Sequence, residues 1–329
     1  MNAGVRKILS HDLYRSNQEK SNLIGFMHGI LGSKRNWRTP ANLWKQMHPD
    51  FSCLAIDQRG HGSNDPNYSI NSGRKNNLES CAADVIELLD ASGLDYPTIV
   101  VGHSFSGKVA LQYNIELLKR NVAIEKHPQH TWMIDSLPIP YVSTSGSQTK
   151  FKVPNLPSHL LASSSTVTSH PHPRLTTHQD ESIKLVFQTL GRLPQTNIVT
   201  KEWMISELLT SGIDPPVAQW LATSLVPMDA GEKQLRWGFD FDTVRSMFED
   251  FCDMDMWPFL EAYRGPSILH FLRAGRNPGW TPEVVAAFES LATRNPWVRL
   301  HTMPQVGHWV HVDDLRGMLD LITQQYERR

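Results

Sequence analysis

Ser104 has the sequence setting of an activated nucleophile. It follows a β-branched run, 98–101, and precedes a helix-like run that begins at Lys108. A strand, a tight turn and a helix in this order form a nucleophile elbow, in which the backbone of the serine is strained. Small residues must flank such a turn, and Gly102 and Ser106 occupy the two positions, with Ser106 replacing the usual glycine. An ordinary strand-to-helix turn that contains a serine is the alternative interpretation.

A general base is needed because a serine hydroxyl is a poor nucleophile at neutral pH, and an acid must orient that base. His308 follows the last strand-like run, 298–303, with Gly307 before it, and we expect it to be the base. A purely structural histidine is the alternative. His103 stands beside the nucleophile, but we expect its side chain to point away from the serine hydroxyl.

The acid of the constellation has more than one candidate. An acid commonly follows the next-to-last strand, which the strand-like run 267–272 represents here. The loop after this run carries no carboxylate before Glu283. Asp135 ends an earlier strand-like run, so we expect Asp135 to hold the base. In the alternative, Asp135 only caps a turn, and Asp253 or Asp255 supplies the negative charge.

Backbone N–H groups beside Ser104 would stabilise the oxyanion that forms when a carbonyl group is attacked. Phe105, the residue after the nucleophile, is expected to supply one of them. Ile30 is expected to supply the other, since it follows His28 and Gly29 at the end of an early strand-like run. Gly29 lets the backbone approach the nucleophile closely.

Strand-like and helix-like runs alternate through the first part of the chain and again near its end. Apolar strand-like runs occur at 23–27, 51–56, 98–101 and 132–134. This alternation predicts an α/β fold with a mostly parallel central sheet and helices on both faces. In such sheets a site forms beyond the carboxyl ends of the strands, and the residues expected there are Gly29, Asp57, Ser104 and Asp135.

The sequence divides into a core and an insertion. Residues 1–143 and 264–329 carry the alternating pattern and are expected to form the core. Residues 144–180 are rich in Ser, Thr, Pro and His, which predicts a flexible loop. Residues 181–263 have helical periodicity without a convincing strand, which predicts a helical cap, or lid, inserted between strands of the sheet.

Composition argues against several classes of protein. The formal net charge of −1 comes without a basic stripe that would indicate nucleic acid binding. No apolar run approaches the roughly 18 residues of a membrane span. The three isolated cysteines lack the spacing of a disulfide framework or a zinc site, which fits a reducing compartment. No signal peptide is visible, so we expect an intracellular protein of the cytoplasm or the mitochondrion.

Several short segments give the chain a resemblance to a known family. They read HGILGSK at 28–34, DQRGHG at 57–62, VGHS at 101–104 and VGHWVH at 306–311. With them the sequence resembles the alpha/beta-hydrolase domain-containing protein 11 group of the α/β-hydrolase superfamily, together with bacterial esterases and thioesterases of the same type. The segment LRWGFD at 235–240 is also similar to one in that group.

The resemblance implies an α/β-hydrolase fold and a Ser-His-Asp triad that works without a metal or a cofactor. In bacterial members the acid follows the strand after the nucleophile helix, which supports Asp135. Two departures stand out. Phe105 and Ser106 replace the methionine and glycine of the family elbow, and Arg276 and Asn277 replace an asparagine–serine pair. Asn277 could still donate a hydrogen bond that helps to hold the acid and the histidine.

We therefore expect a serine hydrolase that cleaves carboxylic ester or thioester bonds of small acyl substrates through an acyl-enzyme. Two alternatives use the same fold: a ligand-binding or adaptor protein with little or no turnover, and a C–C bond hydrolase or lyase with the same triad. Neither a metal, a cofactor nor a nucleic acid is expected to take part. The sequence does not indicate the acyl chain length or the oligomeric state.

Overall fold

The computed structural model describes residues 8–18, 21–65, 67–142, 152–157, 177–178, 181–229, 231 and 233–328. The strands in these ranges are β1 (His11–Tyr14), β2 (Asn22–Met27), β3 (Phe51–Ile56), β4 (Ile99–His103), β5 (His130–Ile134), β6 (Tyr141–Val142), β7 (Thr177–His178), β8 (Leu225–Pro227), β9 (Leu235–Trp237), β10 (Ile268–Ala274) and β11 (Val298–Met303). The α-helices are α1 (Arg38–Met47), α2 (Tyr68–Asn71), α3 (Leu78–Ser92), α4 (Phe105–Lys119), α5 (Glu181–Leu190), α6 (Lys201–Thr210), α7 (Pro215–Ala222), α8 (Phe241–Asp253), α9 (Trp257–Ala262), α10 (Pro282–Arg294), α11 (Val310–Asp313) and α12 (Leu315–Glu327).

Seven strands form the central sheet, in the order β1-β3-β2-β4-β5-β10-β11. All neighbouring strands are parallel except β1 and β3, which pair antiparallel and place β1 at one edge. Helices α3, α4 and α10 cover one face of the sheet, and α1 and α12 cover the other. The inner strands are apolar on both faces for this reason. The predicted mostly parallel sheet with helices on both faces is therefore confirmed.

The parallel strands bring the predicted site residues to one edge of the sheet. His28 follows β2, Ser104 follows β4 and Asp135 follows β5, while His308 lies in the loop after β11. The Ser104 N–H donates to the carbonyl oxygen of Ile134 at 2.9 Å, which fixes the turn after β4 beside the end of β5. The topology of the sheet thus gathers residues that are far apart in the sequence.

Helix α4 begins immediately after Ser104, whereas the sequence pattern predicts a start at Lys108. Its first turn contains Ser106 and Gly107, which have low helix propensity and carry no apolar periodicity. Every residue of α4 from Phe105 to Leu117 is nevertheless buried, so tertiary contacts decide the conformation of this turn.

The segment 181–263 contains helices α5 to α9 and also two strands. β8 and β9 pair antiparallel, with Leu225 opposite Trp237 and Pro227 opposite Leu235. The expectation that no strand interrupts this segment is therefore wrong. Each strand has three residues, which is too short for an alternating pattern to stand out within a helical sequence.

The division into core and cap stays a prediction. Apolar side chains of the segment 181–263, such as Met204 and Trp237, belong to the same hydrophobic cluster as Met27 and Leu54 of the sheet. The cluster does not by itself mark a domain boundary, because it runs through both parts.

The predicted flexible loop, 144–180, lies mostly outside the described residues. Its described parts are 152–157 and Thr177–His178. The latter pair in parallel with Tyr141–Val142, so one end of this segment is tied to the chain directly after β5.

Candidate active site

The turn at Ser104 has the strained geometry of a nucleophile elbow. Ser104 has φ 53° and ψ −117°, outside the regions that residues with a Cβ favour. A Cβ on Gly102 would overlap the carbonyl group of Ser106, and a Cβ on Gly107 would overlap the Ser136 side chain. Gly107 is therefore the residue of the elbow that lies closest to the chain after β5, at Ser136. This leaves space for a side chain at Ser106.

A line of hydrogen bonds connects Ser104, His308 and Asp135. The Ser104 hydroxyl lies 3.0 Å from Nε2 of His308, and Nδ1 of His308 lies 2.6 Å from Oδ2 of Asp135. With its proton on Nδ1, His308 donates to the carboxylate, and its Nε2 accepts from the serine. The His308 side chain is 45% exposed and that of Asp135 is 0% exposed. The imidazole is thus accessible from outside the protein, and the carboxylate is enclosed.

The Asp135 carboxylate accepts four hydrogen bonds. Oδ1 accepts from Ala274 N–H at 3.0 Å and from Trp280 Nε1–H at 2.8 Å. Oδ2 accepts from Asn277 Nδ2–H at 2.6 Å and from His308. These donors fill the roughly four acceptor sites of a carboxylate, so the buried charge is compensated. Trp280 escapes sequence reasoning because no local pattern relates it to a residue 145 positions away.

Two backbone N–H groups beside Ser104 have no acceptor within the part of the chain that the structure describes. Phe105 is the first residue of α4, where N–H groups lack a partner in the helix. Ile30 N–H likewise makes no hydrogen bond to a described residue. A Cβ on Gly29 would lie 3.3 Å from Cβ of Ser104, so the loop that carries Ile30 passes directly beside the nucleophile.

His28 stabilises the base of this loop. Its Nδ1–H donates to the Gly29 carbonyl oxygen at 2.8 Å, and its Nε2 accepts from Gln58 N–H at 3.0 Å. The His28 carbonyl oxygen accepts from the Ser106 hydroxyl at 2.5 Å. Both ring contacts require a neutral imidazole, and burial lowers the pKa of His28. The serine at the second flank of the elbow thus connects the elbow to the loop of Ile30.

His103 connects the elbow to the loop that carries His308. Its Nε2–H donates to the backbone carbonyl oxygen of His308 at 2.8 Å. Its ring also lies 4.8 Å from that of His311, which stacks on Trp37 at 5.0 Å. Burial, together with the neighbouring His311 and His308, holds the pKa of His103 well below its usual range. The sequence gives no sign of this contact.

The other carboxylates considered from the sequence have different partners. Asp57 accepts from Ser63 N–H at 2.9 Å and so holds the loop after β3. Asp253 lies 4.0 Å from Nζ of Lys152, and Asp255 accepts from the first N–H of α9 at 3.0 Å. The carboxylate that meets the base is therefore the one at the end of β5.

Lys108 is fully buried in α4, near the nucleophile. Its Nζ donates to three backbone carbonyl oxygens, those of Ile139 at 2.9 Å, Phe251 at 2.7 Å and Met254 at 2.8 Å. Burial lowers the pKa of Lys108 to about 7. This side chain ties the carboxyl end of α8 to the helix that follows Ser104.

Side chains of the segment 181–263 also contact the residues that follow Ser104 and His308. The ring of Trp220 in α7 lies 5.7 Å from that of Trp309, the residue after His308. The ring of Phe251 in α8 lies 5.7 Å from that of Phe105. The segment 181–263 therefore packs against the chain next to both Ser104 and His308.

Within the described ranges, no group of three or more His, Cys, Asp or Glu side chains could hold a metal ion. Burial raises the pKa of the Cys53 and Cys252 thiols to about 12, so both are protonated at neutral pH. None of the helices described here is long and apolar enough to cross a membrane.

Several known proteins with similar sequences or structures are named lipases or esterases. A family model described as the alpha/beta hydrolase family matches residues 26–321. The sn-1-specific diacylglycerol lipase ABHD11 of Mus musculus is 24% identical over 98% of this chain and 86% of its own length. Esterase YbfF of Escherichia coli (strain K12) is 22% identical over 94% of each chain. A solved structure, a marine microorganism esterase, matches with a TM-score of 0.66 and 17% identity, covering 97% of this chain and 99% of that one.

These matches agree with the resemblance that the sequence segments indicate. The similarity to the solved esterase confirms the expected α/β-hydrolase fold. Because the identity is only 17%, this similarity is evidence for the fold alone. The family match spans the chain from β2 to α12. The chain belongs to the alpha/beta hydrolase family.

Proposed function

We propose that this chain is a serine hydrolase that cleaves carboxylic ester or thioester bonds of acyl substrates. The observation that carries the proposal is the hydrogen-bond line from Ser104 through His308 to the enclosed carboxylate of Asp135. A serine at a strained elbow, a partly exposed histidine and a buried acid are the three groups that nucleophilic acyl transfer needs. The N–H groups of Ile30 and Phe105, which have no acceptor among the described residues, supply the fourth requirement, an oxyanion hole.

The reaction follows from the positions of these groups. Ser104 Oγ attacks the carbonyl carbon while His308 Nε2 takes the hydroxyl proton, and Asp135 stabilises the imidazolium through Nδ1–H. The oxyanion accepts from Ile30 N–H and Phe105 N–H, each worth about 3 kcal/mol of transition-state stabilisation. The bond to the leaving alcohol or thiol then breaks, and the leaving group takes the proton from His308. Water attacks the acyl-enzyme by the same route, which releases the acid and restores the serine.

The substrate class rests on relatives and on the surroundings of the site. The relatives from mouse and Escherichia coli are named a lipase and an esterase, respectively. The rings of Trp220 and Trp309 beside the base, and of Phe105 and Phe251 beside the elbow, offer apolar contacts to an acyl chain. An acyl ester therefore fits best, and a thioester needs no further catalytic group.

A panel of p-nitrophenyl esters and acyl-CoA thioesters of increasing chain length tests the proposal. The wild-type protein is expected to turn over at least one ester or thioester, and Ser104→Ala is expected to give only the background rate. The variant serves as the blank because it removes one oxygen from a partly exposed site. If both proteins behave alike on the whole panel while a substrate analogue still binds, the chain is a binding protein on a hydrolase scaffold.

A further inference from the structure

The loop beside the nucleophile contains a turn with an unfavourable residue. Gly32 N–H donates to the Gly29 carbonyl oxygen at 3.1 Å, which closes a four-residue turn over Ile30 and Leu31. Leu31 has φ 62° while Ile30 has a negative φ, the combination of a type II turn. Glycine or asparagine usually occupies the position of Leu31, because a Cβ disfavours positive φ. Something outside the turn must hold this conformation.

His61 supplies that constraint. Its Nε2 accepts from Leu31 N–H at 3.1 Å, and its Nδ1–H donates to the Arg59 carbonyl oxygen at 2.9 Å. Only a neutral imidazole with its proton on Nδ1 makes both contacts. The ring is 1% exposed, and burial, with a smaller effect of His28, lowers the pKa of His61 to about 3. His61 therefore stays neutral over the range in which a hydrolase works.

The peptide that His61 holds is the one that distinguishes turn types. Leu31 N–H belongs to the peptide group between Ile30 and Leu31, whose rotation converts a type II turn into type I. The Cα of Ile30 joins this peptide group to the preceding one, which carries the Ile30 N–H in the loop beside Ser104. Release of Leu31 to negative φ would relieve its strain and end the type II geometry of the turn that carries the Ile30 N–H.

The loop that carries His61 is fixed on both sides. The Arg59 guanidinium donates to both oxygens of Asp84, at 2.7 and 2.9 Å, and both side chains are fully buried. On the other side, Gly62 N–H donates to Gly238 O at 2.7 Å, and Asp240 N–H donates to Gly60 O at 2.7 Å. The loop thus holds the imidazole in a fixed position, because it is bound to a buried ion pair on one side and to the segment 181–263 on the other.

We propose that His61 is a positioning residue that sets the oxyanion hole by holding Leu31 at positive φ. It contacts neither the substrate nor the reacting atoms. The inference rests on the proposed function, because it assigns the Ile30 N–H to the oxyanion. Loss of the Leu31 contact is expected to weaken binding of the transition state and to leave binding of the ground state unchanged, so kcat falls and KM does not.

Two matched variants separate positioning from a structural role. His61→Gln places an amide oxygen where Nε2 stands, which keeps an acceptor for Leu31 N–H. His61→Asn reaches only to the position of Nδ1, so it keeps the contact with Arg59 and loses the acceptor. We expect His61→Asn to lower kcat on the order of a hundredfold with KM within about threefold, and His61→Gln to restore most of kcat. The melting temperatures of the two variants are expected to be similar.

The outcomes are distinct. Equal losses in both variants that follow their melting temperatures, or an unchanged kcat in a folded His61→Asn protein, would overturn the role of His61. If His61→Asn does not fold, two other measurements test the role of His61. They are kcat of His61→Gln and the protonation state of the His61 ring in the wild type, followed by ¹⁵N-histidine NMR. Retained kcat and a neutral Nδ1–H signal absent from the Gln variant support the role, and a low kcat or a signal that titrates near pH 6.5 contradicts it. A wild type without turnover would instead overturn the proposed function.

Discussion

Asp135 is the enclosed member of the hydrogen-bond line, and three of its four donors lie at the end of β10 or in the loop after it. Ala274, Asn277 and Trp280 surround the two carboxylate oxygens together with His308. The carboxylate therefore has one orientation, with Oδ2 facing the base. An acid held in this way keeps the histidine in the tautomer that leaves Nε2 open to the serine.

Removing one of the groups that donate a hydrogen bond to Asp135 is expected to slow catalysis without affecting substrate binding. Trp280→Phe deletes the N–H that reaches Oδ1 and keeps an aromatic ring against Phe288. Asn277→Ala deletes the donor to Oδ2. Each change is expected to lower kcat by about tenfold with KM nearly constant, because hydrogen bonds to charged groups contribute about 1.5–3 kcal/mol. Steady-state kinetics on one ester measures this, and a kcat equal to that of the wild type in both variants would refute it.

Sequence reasoning finds the site residues in proportion to how local their signals are. Ser104 and His308 stand in short patterns, and Asp135 follows from the absence of a carboxylate before Glu283. The structure brings these three together, and their catalytic role stays a prediction. Trp280 and His103 act through contacts between distant segments, which composition and spacing do not encode.

At the scale of the elements, helix α4 joins the elbow to the segment 181–263. Ser104 is its N-cap, and Lys108 donates to carbonyl groups at the carboxyl end of α8 and to Ile139 after β5. The carbonyl groups at the carboxyl end of a helix lack partners in the helix. An ammonium group there donates hydrogen bonds to them and interacts favourably with the helix dipole. Lys108 thus connects the carboxyl end of α8 to the helix that follows Ser104.

Lys108→Met is expected to destabilise the protein by about 3 kcal/mol, because it leaves three buried carbonyl groups without a donor. Urea unfolding followed by circular dichroism measures the change as a lower midpoint with an unchanged slope. Lys201→Met, at an exposed position, serves as the control and is expected to change stability by less than about 0.5 kcal/mol. Similar midpoints for the two variants would show that Lys108 does not anchor α8.

The elements are predictable where their patterns are long. The sequence pattern predicts strands at 51–56 and 98–101, and the structure has Phe51–Ile56 and Ile99–His103. The pair β8 and β9 is missed because three-residue strands are specified by their partners and not by their own periodicity. The start of α4 is missed because burial overrides the low helix propensity of Gly107.

At the scale of the molecule, a row of histidines crosses three strands of the sheet. His130 Nδ1 lies 2.9 Å from His270 Nε2, and His270 Nδ1 lies 3.0 Å from His301 Nε2. His270 also stacks on Trp132, with ring centroids 4.2 Å apart. Burial, with a smaller contribution from Arg299, lowers the pKa of His130 and of His301 to about 4 each.

Acid is therefore expected to destabilise the fold. These imidazoles are neutral in the folded protein down to about pH 4, whereas in the unfolded chain they bind protons below about pH 6.5. The unfolded state binds more protons in this window, so stability falls as the pH falls from about 6.5 to 4. Urea unfolding at several pH values gives the free energy of unfolding as a function of pH. Below pH 6.5 the slope of this free energy against pH is expected to be smaller in His130→Gln than in the wild type, and above pH 7 the two slopes are expected to be equal. Equal slopes below pH 6.5 would contradict the role of the row.

The central claim is that Ser104 is a nucleophile activated by His308. A fluorophosphonate probe tests it most directly, because the probe reacts with serine only when a base removes the hydroxyl proton and the oxyanion is stabilised. Intact-mass analysis with peptide mapping is expected to find one adduct per chain, on Ser104, and none in Ser104→Ala. No adduct on the wild-type protein, or the same adduct on Ser104→Ala, would contradict the account.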